Sequence, residues 1–425
     1  MIRASKNKYR VLICDDESSF QSQLKKELSA LGGNLQVETF ADLAGGDEEA
    51  ARKYILEQVA ILEQRRSDAR RSNTRDKNNS KSDFDDTDIL IIDYDLIQLD
   101  KSTYLTGEAV AYLARCYSSC NVIIGLDQFR SNVFDLTLKD KLESYADLNV
   151  GAIHLASSSL WESSPSKLKS AFKSSREKLR PWSWPILPRQ VENFRRCVED
   201  LSGHLDEPIL PFLGFKRELI DALPRSILEF IDVGPGTAPH EITFSHFLTR
   251  TSNGFRTPKD AEYPWTGKLA RERIAAARIS RWLEGVVLPE QDILVDAPHL
   301  VTRYPSLLTG NPSKLSTWNK TASREEPPNL GINHSVINDF RFPRHHWLSR
   351  PAWLWKDLQT HTAIDEVKNP WEAKSYDYAF CEDTSRFVSL KDATEFVADL
   401  SSPFARRHVE RLNTINYNPG IRFSL

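Results

Sequence analysis

Two short aliphatic runs, each ending in acid, constrain this chain more than any other feature. They are Tyr9-Arg-Val-Leu-Ile-Cys-Asp-Asp-Glu17 and Asp88-Ile-Leu-Ile-Ile-Asp-Tyr-Asp-Leu96. Short continuous apolar runs rich in Val and Ile fit strands buried on both faces, as in a parallel sheet. At the carboxyl ends of such strands the backbone turns out of the sheet, and ligands bind in the crevice there. Asp15, Asp16 and Asp93 are therefore expected to converge on one sheet edge. Three carboxylates held together repel each other unless a cation neutralises them, and a hard, oxygen-seeking ion such as Mg2+ suits them best.

The chain around these runs alternates strand and helix. Phe20, Leu24, Leu28 and Leu31 have helical spacing, with Gly32-Gly33 as a stop, and 35–40 reads as a second strand. A helix is expected from Asp47 to about Gln64. Residues 65–88 are dense in Arg, Ser, Asn, Lys and Asp, with Phe84 as the only large apolar residue. They read as a disordered insertion that buries too little apolar surface to offset ordering entropy. Gly107 opens a helix that runs to Tyr117, and 121–126 is a fourth strand. Residues 133–145 read as a helix, 150–155 lead into a fifth strand, and 166–179 read as a basic helix. Parallel strands need helical crossovers, so the expected fold is α/β, a doubly wound five-stranded parallel sheet.

The acidic pair and the strand-three Asp, in this element order, resemble the receiver domain of response regulators over roughly the first 180 residues. The resemblance implies that Asp15 and Asp16 hold Mg2+ and that Asp93 is the phosphoacceptor for a histidine kinase. It places Asp95 where the family supplies a backbone carbonyl to the metal. Gly151-Ala152 matches a Gly-Ala pair common near strand five of receivers. The likeness is degenerate. Receivers carry a Ser or Thr at the end of strand four and a Lys at the end of strand five. Here those positions fall on Leu126 and near Ser158. Loss of the Lys removes the point charge that a phosphoryl group wants close by. The Pro usual after the acceptor is also missing, and the loop following Asp93 is longer.

Composition changes after the run Pro181-Trp-Ser-Trp-Pro-Ile-Leu-Pro188, which reads as an extended linker because its prolines forbid helix. The reading gives three parts: a receiver-like domain at 1–180 with the insertion at 65–88, a linker at 181–188, and an α+β C-terminal domain at 189–425. In the latter, helices are expected at 190–205, 216–231 and 267–284. The last carries Arg271, Arg273, Arg278 and Arg281, read as a solvated face. Asp292–Asp296 and Tyr378–Asp383 read as strands ending in acid, and a helix is expected from Ser389 to Leu400. His345 and His346, as neighbours, point apart and make a poor metal site.

Five cysteines with no CxxC pair argue against a disulfide framework or zinc ribbon and fit a reducing cytosol. The basic N-terminus leads straight into strand one and reads as no signal peptide. No window approaches the length of a membrane span. A net charge of −3 gives no electrostatic case for nucleic acid. The leading expectation is a cytoplasmic two-component-type regulatory protein. Its receiver-like or pseudo-receiver domain controls or docks a C-terminal effector. A histidine kinase or another signalling protein is the expected partner, and self-association is compatible with this. An alternative makes the C-terminal half a hydrolase or nuclease, as in a defence system, using Asp296, His299, Glu382 and Asp383. In that case the receiver is a partner-binding module. Whether the chain is an enzyme stays open at this level.

Overall fold

The computed structural model describes residues 8–31, 34–45, 47–70, 80–96, 99, 105–126, 134–138, 144–161, 179–231, 236–250, 268–323, 330–333, 338–359, 377–396 and 406–417. The first part runs β1 (Tyr9–Cys14), α1 (Ser18–Ala30), β2 (Leu35–Thr39), α2 (Phe40–Ala44), α3 (Glu48–Arg70), β3 (Ile89–Asp93), α4 (Gly107–Tyr117), β4 (Val122–Leu126), β5 (Phe134–Asp135), β6 (Leu148–Val150) and α5 (Ala152–Leu155). β2, β1, β3, β4 and β6 form one five-stranded sheet in that order, and every pairing is parallel. Successive side chains of a strand point to opposite faces. Val11, Ile13, Ile89 and Ile91 accordingly pack with Leu24 and Leu28 of α1, while Leu12, Cys14, Leu90 and Ile92 pack with α3 and α4 on the other face.

Three expectations change here. Residues 134–138 are not helical: Phe134, Leu136 and Leu138 recur at the strand period and are all buried. β5 pairs with the far end of the chain, Ile415–Asn416. The strand beside β4 ends at Val150, before the Gly-Ala pair, and 152–155 is a helical turn. The flanks of 65–88 are built structure. α3 continues to Arg70, and Arg65 donates to both carboxylate oxygens of Asp85 and to the Tyr117 and Ser80 carbonyls. Phe84 is fully buried against Phe40. The stretch 71–79 and the expected helix 166–179 lie outside the described residues, apart from Leu179, which is buried.

The run 181–188 is packed on both sides. The Arg180 and Trp182 amides donate to the carbonyls of Asp383 and Glu382, and Trp184 stacks on Phe134 at 5.4 Å. α6 (Leu187–Leu201) and the helix Lys268–Trp282 then lie against α4, so the core on that sheet face continues through Phe194 and Ile274 to Trp282 and Trp347. Arg273, Arg278 and Arg281 are buried in this junction instead of forming a solvated face. Arg115 of α4 and Arg273 both lie over the Phe194 ring, at 4.9 and 5.6 Å.

Beyond it, β7 (Leu294–Asp296) pairs antiparallel with β8 (Ala352–Leu354). A mixed four-stranded sheet takes β9 (Tyr378–Cys381), β10 (Arg386–Ser389), β11 (Thr394–Phe396) and β12 (Arg407–Val409) in the order β10-β9-β12-β11. The expected helix 389–400 gives way, in its described residues, to a single 3-10 turn and β11, which pairs with β12. The expected helix 216–231 is two one-turn pieces, Arg217–Ile220 and Arg225–Leu228, parted at Pro224. All five cysteines are free and buried. Among the described residues no helix is long and apolar enough to cross a membrane.

The Arg65–Asp85 pair is a buried ion pair, and removing one partner strands the other charge. Asp85→Ala should lose about 3–5 kcal/mol in a urea melt. The matched apolar double variant Arg65→Met/Asp85→Leu should recover much of that loss.

Candidate functional site

The acidic residues singled out from sequence meet at the carboxyl edge of the parallel sheet. The register pairs Cys14 with Ile92 and Asp93 with Leu126, so Asp15 and Asp93 emerge side by side from β1 and β3. One oxygen from each of Asp15, Asp16 and Asp93 lies within 4.8 Å of the others, and all three residues are buried. Local bonds fix the backbone beneath them. The Asp15 carboxylate accepts from the Glu17 amide at 2.7 Å, and Gln21 donates to the Asp15 carbonyl at 2.6 Å. Arg52 of α3 donates to the Asp16 carbonyl at 3.1 Å.

Charge crowding is visible in Asp93. Burial first, then the Asp15 carboxylate, pushes its pKa up to about 7, with Asp16 adding to the shift and the Asp95 amide working against it. Burial and the same three carboxylates also push the Cys14 thiol up. This is a site where negative charge is concentrated. An all-oxygen donor set with more than one carboxylate fits a hard divalent ion. The Asp95 side chain is exposed; its amide bonds Asp93 and its carboxylate adds to the raised Asp93 pKa.

Leu126 sits level with Asp93 and is fully buried. The residue level with it on β6 is Val150, so the strand-five position falls there and not at Ser158, which lies in a 3-10 turn. Neither Leu126 nor Val150 offers a hydroxyl or a charge. Gly107 opens α4 as expected, with Thr106 as its cap. A Cβ at Gly107 would collide with the Asp93 carbonyl, so the close approach of this helix to the acidic strand end requires glycine.

The sequence did not single out Tyr94, Ser144 or Asn149. The Tyr94 ring lies over Gly125, where an added Cβ would stand 2.7 Å from its Cζ and Oη. Its hydroxyl bonds the Asn149 carboxamide oxygen and meets the Ser144 hydroxyl at 3.2 Å. The only sequence signal was a glycine inside a strand, which marks a close approach.

The second group of acids is also partly assembled. His299 bonds Asp296 through Nδ1 and Glu382 through Nε2, the latter at 2.9 Å. Arg407 donates to Glu382 and to the Pro289 carbonyl, and Arg350 donates to Asp296 at 3.0 Å. The Trp182 indole adds a bond to Asp296 at 2.8 Å. Asp383 is elsewhere: its carboxylate accepts the amides of Glu410, Arg411 and Leu412 and fixes a turn. Every member of the His299 network is buried. Burial opposes the charge on Asp296, but His299, Arg350 and Trp182 outweigh it and hold the carboxyl far below the usual range. Burial likewise opposes Glu382, and Arg407 and His299 lower it. These buried, paired charges tie β7, β9, β12 and residues 180–182 together.

Compared with protein-family models, curated proteins and solved structures, the chain matches none of them.

Carboxylates with depressed pKa contribute stability that is present above their unfolded values and lost as pH falls. Glu382→Gln should therefore cost about 3 kcal/mol at pH 7, because it leaves Arg407 buried against a neutral group. The difference from wild type should shrink as pH falls through the lowered folded-state pKa of Glu382. Thermal melts between pH 3 and pH 7 check this.

Proposed function

We propose that the N-terminal part is a pseudo-receiver in a regulatory protein: it binds a divalent cation at Asp15, Asp16 and Asp93 and acts on the C-terminal part packed against it. The observation that carries this reading is the convergence of the three carboxylates at the ends of adjacent parallel strands. The sheet order supports it. Counted over the five strands of the sheet it is 2-1-3-4-5, a doubly wound order in which ligands bind where the strand order reverses, between the first and third strands. Asp15 and Asp93 leave the sheet at that place.

In this reading the ion, Mg2+ by preference, offsets the repulsion of the carboxylates and stiffens the strand ends. The protein's own residues do the remaining work. Gln21 holds the Asp15 carbonyl, the Glu17 amide holds the Asp15 carboxylate, Arg52 holds the Asp16 carbonyl, and Gly107 lets α4 approach Asp93. Phosphoryl transfer is a poor fit. It would bring two or three more negative charges against three carboxylates, and Leu126 and Val150 supply neither the hydrogen bond nor the cation that receivers use. Regulation by ion, proton or partner suits this site better than regulation by phosphorylation. A hydrolase or nuclease centred on His299 is the weaker alternative, because that network is buried and already paired.

Calorimetry on the full chain should show Mg2+ or Mn2+ binding that Asp16→Asn abolishes, and an unchanged titration in that variant would remove the metal from this reading. The sign of the pH effect follows from Asp93. An acid with a raised folded pKa makes the folded state bind more protons than the unfolded one. Stability without ion therefore falls as pH rises from about 4 to about 7. Asp93→Asn should remove that fall, on the order of 1–3 kcal/mol at pH 8, and saturating Mg2+ should offset it in wild type.

A small phosphodonor with Mg2+ should label the chain weakly or not at all. Stoichiometric labelling that is lost in Asp93→Asn, with a change in oligomer size, would return the protein to the phosphorylated receivers.

A further inference from the structure

We propose that Tyr94 and Ser144 relay ion binding at the acidic cluster to the buried arginines of the helix Lys268–Trp282. This is a route by which the site regulates the C-terminal part, and it rests on the reading of the cluster given above. The route is short and made of direct contacts. Tyr94 follows Asp93 in the chain and is pinned at both backbone ends: its amide donates to the Leu126 carbonyl at 2.9 Å, and its carbonyl accepts from Gly107 at 3.1 Å. Because Gly107 lies against the Asp93 carbonyl, a shift of Asp93 moves Tyr94 and the start of α4 together.

The Tyr94 ring has little freedom to absorb that shift. It is held over Gly125, its hydroxyl donates to the Asn149 carboxamide oxygen of β6, and its oxygen lies in contact with the Ser144 hydroxyl oxygen at 3.2 Å. Ser144 is the branch point. Its hydroxyl donates to Glu108, in the first turn of α4, at 2.7 Å. Its carbonyl accepts from Arg278 and Arg281, both at 3.1 Å, and Arg281 also donates to the Ala146 carbonyl at 2.6 Å. The segment 144–146 is thus bonded to α4 on one side and to the C-terminal part on the other. Buried guanidinium groups take part of their solvation here from those carbonyls, so a small displacement of Ser144 changes how well two charges are solvated. The Leu126 side chain, which offers no hydrogen bond, is bypassed: the side-chain contact from strand three crosses β4 at Gly125 instead.

Hydrogen exchange by mass spectrometry on the full chain tests the relay. Saturating Mg2+ should slow exchange across 144–147 and 268–282 by about five-fold, the low end of typical coupling between sites. Tyr94→Phe keeps the ring over Gly125 and removes only the hydroxyl. It should still bind Mg2+ by calorimetry with nearly unchanged affinity, and yet lose the slowing in 268–282. Ser144→Ala should behave in the same way. Asp93→Asn without ion gives a second, metal-free readout: it should shift exchange in 268–282, and that shift should vanish in Asp93→Asn/Tyr94→Phe.

Mg2+ binding that leaves 268–282 unchanged in wild type, or a full response in Tyr94→Phe, overturns the relay while sparing the metal site. If wild type binds no ion but Asp93→Asn still acts through Tyr94, the metal reading fails and the relay stands. If neither the ion nor Asp93→Asn alters 268–282, both fall.

Discussion

The structure depends on one shared apolar core. Leu12, Cys14, Leu90 and Ile92 face away from α1, and the layer they require is supplied by α3 and α4 and then by α6 and the helix Lys268–Trp282. Each large side chain buried there is worth about 1.5–3 kcal/mol. With Phe194, Trp282 and Trp347 all nearly inaccessible to solvent, the two parts of the chain hold each other up. The polar features of the protein are arranged around that fact. Arginines that would otherwise be solvated are drawn into the junction and paired with carbonyls, and the residues joining the two parts are hydrogen-bonded and stacked instead of exposed.

This core also explains why the acidic cluster is tense. A strand end buried from both sides cannot relax its carboxylates into solvent, so repulsion shows up as a raised Asp93. The second acidic group solves the same problem in the opposite way, by placing Arg350, Arg407 and His299 among Asp296 and Glu382. There the charges are paired across three elements of the chain.

The aliphatic runs made the sheet and the acidic edge legible in the sequence, because buried parallel strands admit few other residue types. Leu126 was placed correctly from its run. Ser158 lies away from the strand end, because β6 is only three residues long and the Gly-Ala pair follows the strand instead of preceding it. The segment 134–138 was read as helix although Phe134, Leu136 and Leu138 carry the strand period, a pattern too short to outweigh its surroundings. Arg65, Arg273 and Arg281 misled for a different reason. An arginine's burial depends on partners far away in sequence, Asp85 for one and the 144–146 carbonyls for another, and periodicity carries no information about them. Likewise Asp296, His299 and Glu382 stood out as chemistry-bearing residues, but Arg407 and Arg350, which close the set, gave no local sign.

The return of the last strand has a consequence in time. β5 receives its partner from Ile415–Asn416, and the apolar face of α4 waits for residues up to Leu354. At synthesis rates of about 5–20 residues per second, the sheet completed at Val150 stands on the ribosome with one flank bare for on the order of 10–50 s. Through that interval an aliphatic, flat-sided sheet must be kept from its neighbours. Its acidic edge is assembled long before the residues that pack against α4.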